Sequence, residues 1–130
     1  MSEKIRSYRD LRVWQESENL FDMMCEDSAK FPKNDSIVWT IKDQVVRSIG
    51  SVGANIAEGF ARQTKKEFIQ FLNISRGSTA ESEVWVNRMK KQKIISDERY
   101  KIYEEKLTAV AKMLNALIRS LRNSKPTPTN

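Results

Sequence analysis

Residues 47–83 read RSIGSVGANIAEGFARQTKKEFIQFLNISRGSTAESE, and the spacing of apolar side chains in this stretch decides the fold. Ile49, Val52, Ile56 and Phe60 follow each other at intervals of three, four and four, the repeat of one helical face. The same seam extends back through Val45, Ile41 and Ile37, so one long helix is predicted from about Ile37 to Phe60. Val38, Trp39 and Val46 widen the seam, as a helix touching more than one neighbour requires. A second face carries Ser48, Asn55, Glu58 and Arg62, which is either a hydrogen-bonded network between helices or a functional surface. Gly50 and Gly53 each cost about 0.8–1 kcal/mol against alanine in an exposed helix, and so mark a close helix approach or a locally weak turn.

Three further helices follow from working outward. Downstream, Thr64 and Glu67 have the spacing of a capping box. Phe68, Phe71, Leu72, Ser75, Ser78 or Thr79, Ser82, Trp85, Val86 and Met89 then face inward, and Gly77 is expected to serve packing within this helix. The basic run around residues 88–93 meets the negative end of the helix dipole. Ser96 caps a last helix whose buried face runs from Tyr100 through Tyr103 or Glu104, Leu107, Val110 or Ala111, Leu114 and Leu117 or Ile118 to Leu121. Upstream, a helix from about Asp10 to Lys30 presents Leu11, Trp14, Phe21, Met24, Cys25 and Ser28, with Leu20 beside them. It stops at Phe31-Pro32, because a residue preceding proline avoids helical geometry. Asp35 or Ser36 is placed to cap the next helix.

All three connections are short, so consecutive helices should run antiparallel. The expected fold is all-α, an up-down-up-down antiparallel four-helix bundle. Residues 1–122 form the bundle with a short N-terminal arm, and 123–130 (NSKPTPTN) form a disordered tail. A chain of 130 residues is one domain by size and buries about 68% of its extended surface. Only four glycines and three prolines also argue against a strand-and-turn fold.

Composition narrows the chemistry. The chain has no histidine and one cysteine, Cys25, which excludes the common zinc arrangements and an internal disulfide. Cys25 is expected to be buried and inert, since no imidazole can activate it. No apolar run spans a membrane and no secretory signal opens the chain, so a cytoplasmic protein without a cofactor is expected. The formal charge of +6 is uneven: residues 1–35 carry −2, residues 61–93 carry +5 and residues 94–130 carry +3. Such a field can steer a polyanion.

The candidate nucleic-acid contacts are Arg62, Lys65 and Lys66 at the start of the third helix and Arg88, Lys90, Lys91 and Lys93 at its end. The two groups lie about 25 residues apart, roughly 37 Å along a helix. No zinc finger, K-homology or ribonucleoprotein motif accompanies them, so binding should follow charge and shape rather than sequence. Arg47, Ser48, Asn55, Glu58, Arg62, Arg76 and Glu81 form a candidate structural polar network, in which Glu58 and Glu81 pair with arginines within or between bundles. The two carboxylates have no recognisable substrate cleft, and no enzyme is expected. Trp14 and Trp39 are candidate anchors of a protein interface, the feature on which an adaptor or assembly role would rest.

The chain resembles the four-helix bundle proteins encoded within intervening sequences of bacterial 23S ribosomal RNA genes, the S23 ribosomal protein family. The resemblance rests on Tyr8-Arg9-Asp10-Leu11 with Val13-Trp14, on Arg47-Ser48, Ser51 and the unbroken Ala54-Asn55-Ile56-Ala57-Glu58-Gly59 with Arg62, and on Phe68, Phe71-Leu72, Ile74, Gly77-Ser78 and Glu81. Gly50, Gly53 and the run STAESEVW at 78–85 depart from the usual pattern. The resemblance implies a ring-like homopentamer. It extends more distantly to accessory proteins of diversity-generating retroelements, which bind nucleic acid and associate with a reverse transcriptase. From that side it implies an RNA or DNA partner.

Overall fold

The computed structural model describes residues 4–124. A 3₁₀ turn, Tyr8–Asp10, leads into four helices: α1 (Arg12–Ser28), α2 (Ser36–Phe60), α3 (Lys65–Lys91) and α4 (Asp97–Asn123). Each helix packs on its neighbour in sequence, and α1 closes the square against α4, while α1 and α3, like α2 and α4, stay apart. This is the expected four-helix bundle. Helix α4 runs one residue past its expected end, Ser124 caps it, and the remainder of the proposed tail lies outside the described residues.

The helix starts are fixed by side-chain caps. Asp35 accepts hydrogen bonds from the amides of Ile37 (2.9 Å) and Val38 (3.2 Å). The Thr64 hydroxyl accepts from the Glu67 amide (3.1 Å) and donates to the Glu67 carboxylate (3.1 Å), and Ser96 accepts from the Arg99 amide (3.1 Å). Each such cap satisfies an amide that the helix itself leaves open, at about 1 kcal/mol. At the end of α3, Lys93 adopts a left-handed φ of 59° while the Ile94 amide reaches back to the Met89 carbonyl (2.9 Å). A helix stop of this kind usually carries glycine.

The core has two apolar clusters. One gathers Leu20, Met24, Val45, Ile49, Val86, Met89, Tyr103 and Leu107, and the other Val13, Val52, Ile56, Leu72, Val110, Leu114 and Ile118. On α1 the clusters are separated by Ser17, and on α3 by Ser75, Thr79 and Ser82, all four buried. These small side chains let α2 and α3 approach closely enough for hydroxyls to bridge them. Ser75 Oγ donates to the Val52 carbonyl (2.8 Å), Ser82 Oγ to Ser48 Oγ (2.9 Å) and Ser78 Oγ to Ser51 Oγ (3.0 Å). Gly59 marks the same closeness, because a Cβ there would lie 2.6 Å from Phe71 Cβ.

Several expectations are corrected. Cys25 is exposed, one position round the helix from the buried Met24. Partial burial and the nearby Asp22 charge nevertheless push its thiol up in pKa, so it stays protonated. Ile37 is 61% exposed because the buried line of α2 begins at Val38, inside the first turn. On α1 the buried line is Val13, Ser17, Leu20, Met24 and Ser28, whereas Leu11, Trp14 and Phe21 flank it half-buried. Serine at position 17 disguises that line in the sequence. Gly77 packs against nothing: a Cβ there would meet open space.

Candidate nucleic-acid surface

Antiparallel topology brings the start of α1, the end of α2, the start of α3 and the end of α4 to one end of the bundle. Leu11, Phe68, Ile69 and Leu121 pack on one apolar cluster there, and the Lys65 ammonium donates to the Ser124 carbonyl (3.4 Å). The cations of four separate segments thereby converge: Arg9 and Arg12, Arg62, Lys65 and Lys66, and Arg119 and Arg122. Asp10, Glu58 and Glu67 are the acids interspersed among them. Backbone amides of Arg6 and Ser7 bond to the Asp10 carboxylate and hold it below its usual pKa, so it remains ionised.

Between α3 and α4 at this end lies a hollow of about 680 Å³, lined by Lys65, Lys66, Gln70 and Arg122 over Ile69 and Leu121. Lys65 and Lys66 occupy the first turn of α3, where the helix dipole is already positive. Their placement costs a few tenths of a kcal/mol in helix stability and adds to an anion-attracting field. Arg62 pairs with Glu58 (3.0 Å), with both side chains exposed, and its guanidinium lies 4.8 Å from the Phe71 ring centre.

The second predicted cluster has a different character. Arg88 stacks over Trp85 at 4.6 Å and Lys90 over Tyr100 at 4.6 Å, so both cations meet aromatic faces of their own chain. Lys93 turns the backbone at the helix stop, and Lys91 lines a groove of about 880 Å³ between α3 and α4. That groove mixes Arg88, Lys91 and Lys112 with Glu83, Glu104 and Glu105. Arg88, Lys90 and Lys91 also stabilise the C-terminal end of α3. The structure thus keeps the two groups apart, one in a concentrated basic end and the other in a mixed one.

The predicted polar network resolves into separate pairs. Arg47 binds Asp43 (3.1 Å), Arg76 donates to Asn115 (3.1 Å), and Glu81 accepts from the Trp85 indole (3.4 Å). Asn55 donates to the Ser51 carbonyl (2.8 Å) and hydroxyl (2.9 Å), which joins it to the serine bridges between α2 and α3. Only Ser48 of the seven is buried. Arg47, Arg62 and Arg76 therefore hold surface positions within this chain.

The strongest polar assembly was not legible beforehand. Asp27, with a side chain 14% exposed, accepts from Arg99 Nε (2.7 Å), a second Arg99 nitrogen (3.1 Å) and the Tyr103 hydroxyl (2.6 Å). Burial alone pushes the Asp27 carboxyl up, but the bonds from Arg99 and Tyr103 outweigh it and hold the pKa below the usual value. Burial and the adjacent carboxylate push the Tyr103 phenol far up. This clamp ties the end of α1 to the start of α4. Trp39 is 62% exposed, whereas Trp14 is half-buried with its ring 5.0 Å from Tyr8, edge to face.

Residues 9–116 match the family model described as 23S rRNA-intervening sequence protein. The chain belongs to this family. A 23S rRNA-intervening sequence protein of this build has a solved relative, a protein of unknown function from the S23 ribosomal protein family of Bacteroides thetaiotaomicron VPI-5482. The two share 28% identity and a TM-score of 0.75, covering 82% of this chain and 95% of the relative. No curated protein matches the chain. Among the described residues no group of cysteine and acidic side chains is placed to hold a metal ion, and no helix is long and apolar enough to cross a membrane.

Proposed function

We propose that this intervening sequence protein is a non-catalytic, homo-oligomeric bundle that binds RNA or DNA through the basic end of the bundle. The observation that carries this reading is the hollow between α3 and α4 lined by Lys65, Lys66 and Arg122, at the end of the bundle where α1 and α2 also carry cations. Its apolar floor of Ile69 and Leu121 offers a surface for sugar or base edges, while the ammonium and guanidinium groups meet phosphates. One such end per chain supplies few phosphate contacts. A ring of chains, as in the pentamer implied by the family resemblance, repeats them around a rim and raises the effective concentration of each.

A second reading, a protein adaptor in the cytoplasm, is favoured by Trp39 and Ile37, both more than half exposed on the first turn of α2. Large apolar groups in that position suit an interface with a second copy or with another protein. The two readings separate in one experiment: light scattering coupled to size exclusion, with a pool of RNA and single-stranded DNA, at low and high salt. A particle near five times 15.1 kDa that acquires nucleic acid only at low salt supports the proposal. An oligomer that ignores the pool at both salts transfers the weight to the adaptor, and a monomer removes the rim.

A further inference from the structure

A smaller hollow of about 300 Å³ opens between α1 and α2, lined by none of the cationic residues of α3 and α4. Its walls are three aromatic side chains, Tyr8, Trp14 and Phe21, together with Glu18, and α2 contributes Gly50 and Gly53 to its floor. The glycines make room for two of these walls, the Glu18 carboxylate and the Phe21 ring, to lie against α2. A Cβ at Gly53 would stand 2.6 Å from Glu18 Oε2, and one at Gly50 would stand 3.0 Å from the Phe21 ring. Glu18 is half-buried, and among the described residues it has neither a hydrogen bond nor an ion pair. Partial burial and the charge of Asp22 push its carboxyl up in pKa.

A half-buried carboxylate with no partner from its own chain, set beside aromatic rings, leaves its lone pairs open to a cation from outside. We infer that this hollow binds a guanidinium group from outside the chain, with Glu18 accepting its hydrogen bonds and the aromatic walls meeting its planar face. Aromatic faces attract cations through their negative π surfaces. The rim already displays the preference, since the Arg9 guanidinium lies 4.7 Å from the Tyr8 ring centre. Guanidinium fits better than the alternatives on chemistry. A quaternary ammonium has no N–H to satisfy the Glu18 oxygens, and a primary ammonium cannot stack, whereas a guanidinium offers a planar fork of donors to a carboxylate. The shared chemistry extends to a small guanidinium compound and to an arginine side chain of a partner polypeptide.

The test is a titration of ¹⁵N-labelled protein followed at the Trp14 indole resonance, assigned with Trp14→Phe. The probes are methylguanidinium, N-acetyl-arginine amide, tetramethylammonium and neutral methylurea. The inference expects saturable shifts from the first two and binding at least about tenfold weaker from the last two. Removing a charge-assisted bond should weaken methylguanidinium about tenfold or more in Glu18→Gln. Gly53→Ala, which drives a methyl against the carboxylate and toward the buried Ser17 hydroxyl, should weaken it by a separate route, with circular dichroism reading the fold of the variant. Tighter capture of the arginine amide than of methylguanidinium assigns the group to a polypeptide, and equal capture assigns a free compound. No saturable shift, undiminished binding by Glu18→Gln, or preference for tetramethylammonium overturns the inference.

Discussion

Replacing Tyr103 by phenylalanine tests how the bundle is held shut between α1 and α4. Tyr103 is fully buried and its hydroxyl donates to Asp27 at 2.6 Å, so Tyr103→Phe leaves the ring packing and removes one bond to a carboxylate. A hydrogen bond to a charged group contributes about 1.5–3 kcal/mol net. Asp27 retains two bonds from Arg99, which places the loss at the lower end, about 1.5 kcal/mol. With about 2.1 cal/mol/K of unfolding entropy per residue, a domain of this size should lose roughly 6 °C in Tm. Calorimetry or circular dichroism at fixed protein concentration reads this directly.

The pH dependence gives a second handle on the same variant. The native Asp27 pKa is lowered, so its stabilisation is complete above the ordinary unfolded value of about 3.9 and is lost as pH falls through the lower native value. The gap between wild type and Tyr103→Phe should therefore be full at pH 7 and narrow on acidification below about pH 4. The Tyr103 phenol is raised instead. Its contribution is present below about pH 10 and lost as pH climbs from there toward the native value. A Tm within 1 °C of wild type at pH 7, by contrast to the shift of roughly 6 °C, would refute the clamp as a stabilising element.

Three further outcomes follow from local geometry. Gly59→Ala should destabilise by about 1–3 kcal/mol, because the added methyl meets Phe71 Cβ at 2.6 Å and the Phe68 carbonyl oxygen at 3.3 Å; urea denaturation measures it. Gly77→Ala, with open space around the new methyl, should instead stabilise by about 0.5–1 kcal/mol in the same assay. Lys93→Gly should stabilise by about 0.5–1 kcal/mol through relief of the left-handed backbone. It should also leave nucleic-acid affinity within about twofold, since Lys93 forms the turn at the mixed end of the bundle.

The architecture was legible because its signals are local. The seam from Ile41 to Ile56 is periodic, and Asp35, Thr64 and Ser96 cap the helices at the places their side chains predict. The inward line of α3 was readable even through Ser75, Thr79 and Ser82, since spacing rather than hydrophobicity carried it. What stayed hidden depends on proximity between distant segments. Asp27 and Arg99 are 72 positions apart, and no local pattern couples them. The basic end was only half visible for the same reason. Arg62, Lys65 and Lys66 stand together in the sequence, but Arg9, Arg12, Arg119 and Arg122 join them only once four antiparallel helices set the termini side by side. Glu58 does pair with an arginine, Arg62, but along its own helix, whereas Glu81 meets the Trp85 indole of its own helix and no arginine.

Polyanion binding by one end of the bundle is read by fluorescence anisotropy of labelled single-stranded RNA over a salt series. Three proteins suffice: wild type, the double reversal Lys66→Glu/Arg122→Glu, and the double reversal Lys91→Glu/Lys93→Glu. The first reversal should abolish low-salt binding or flatten its salt slope by about two charges, while the second should leave the slope within one charge of wild type. Equal losses from both reversals, or a larger loss from the second, would contradict binding through that one end.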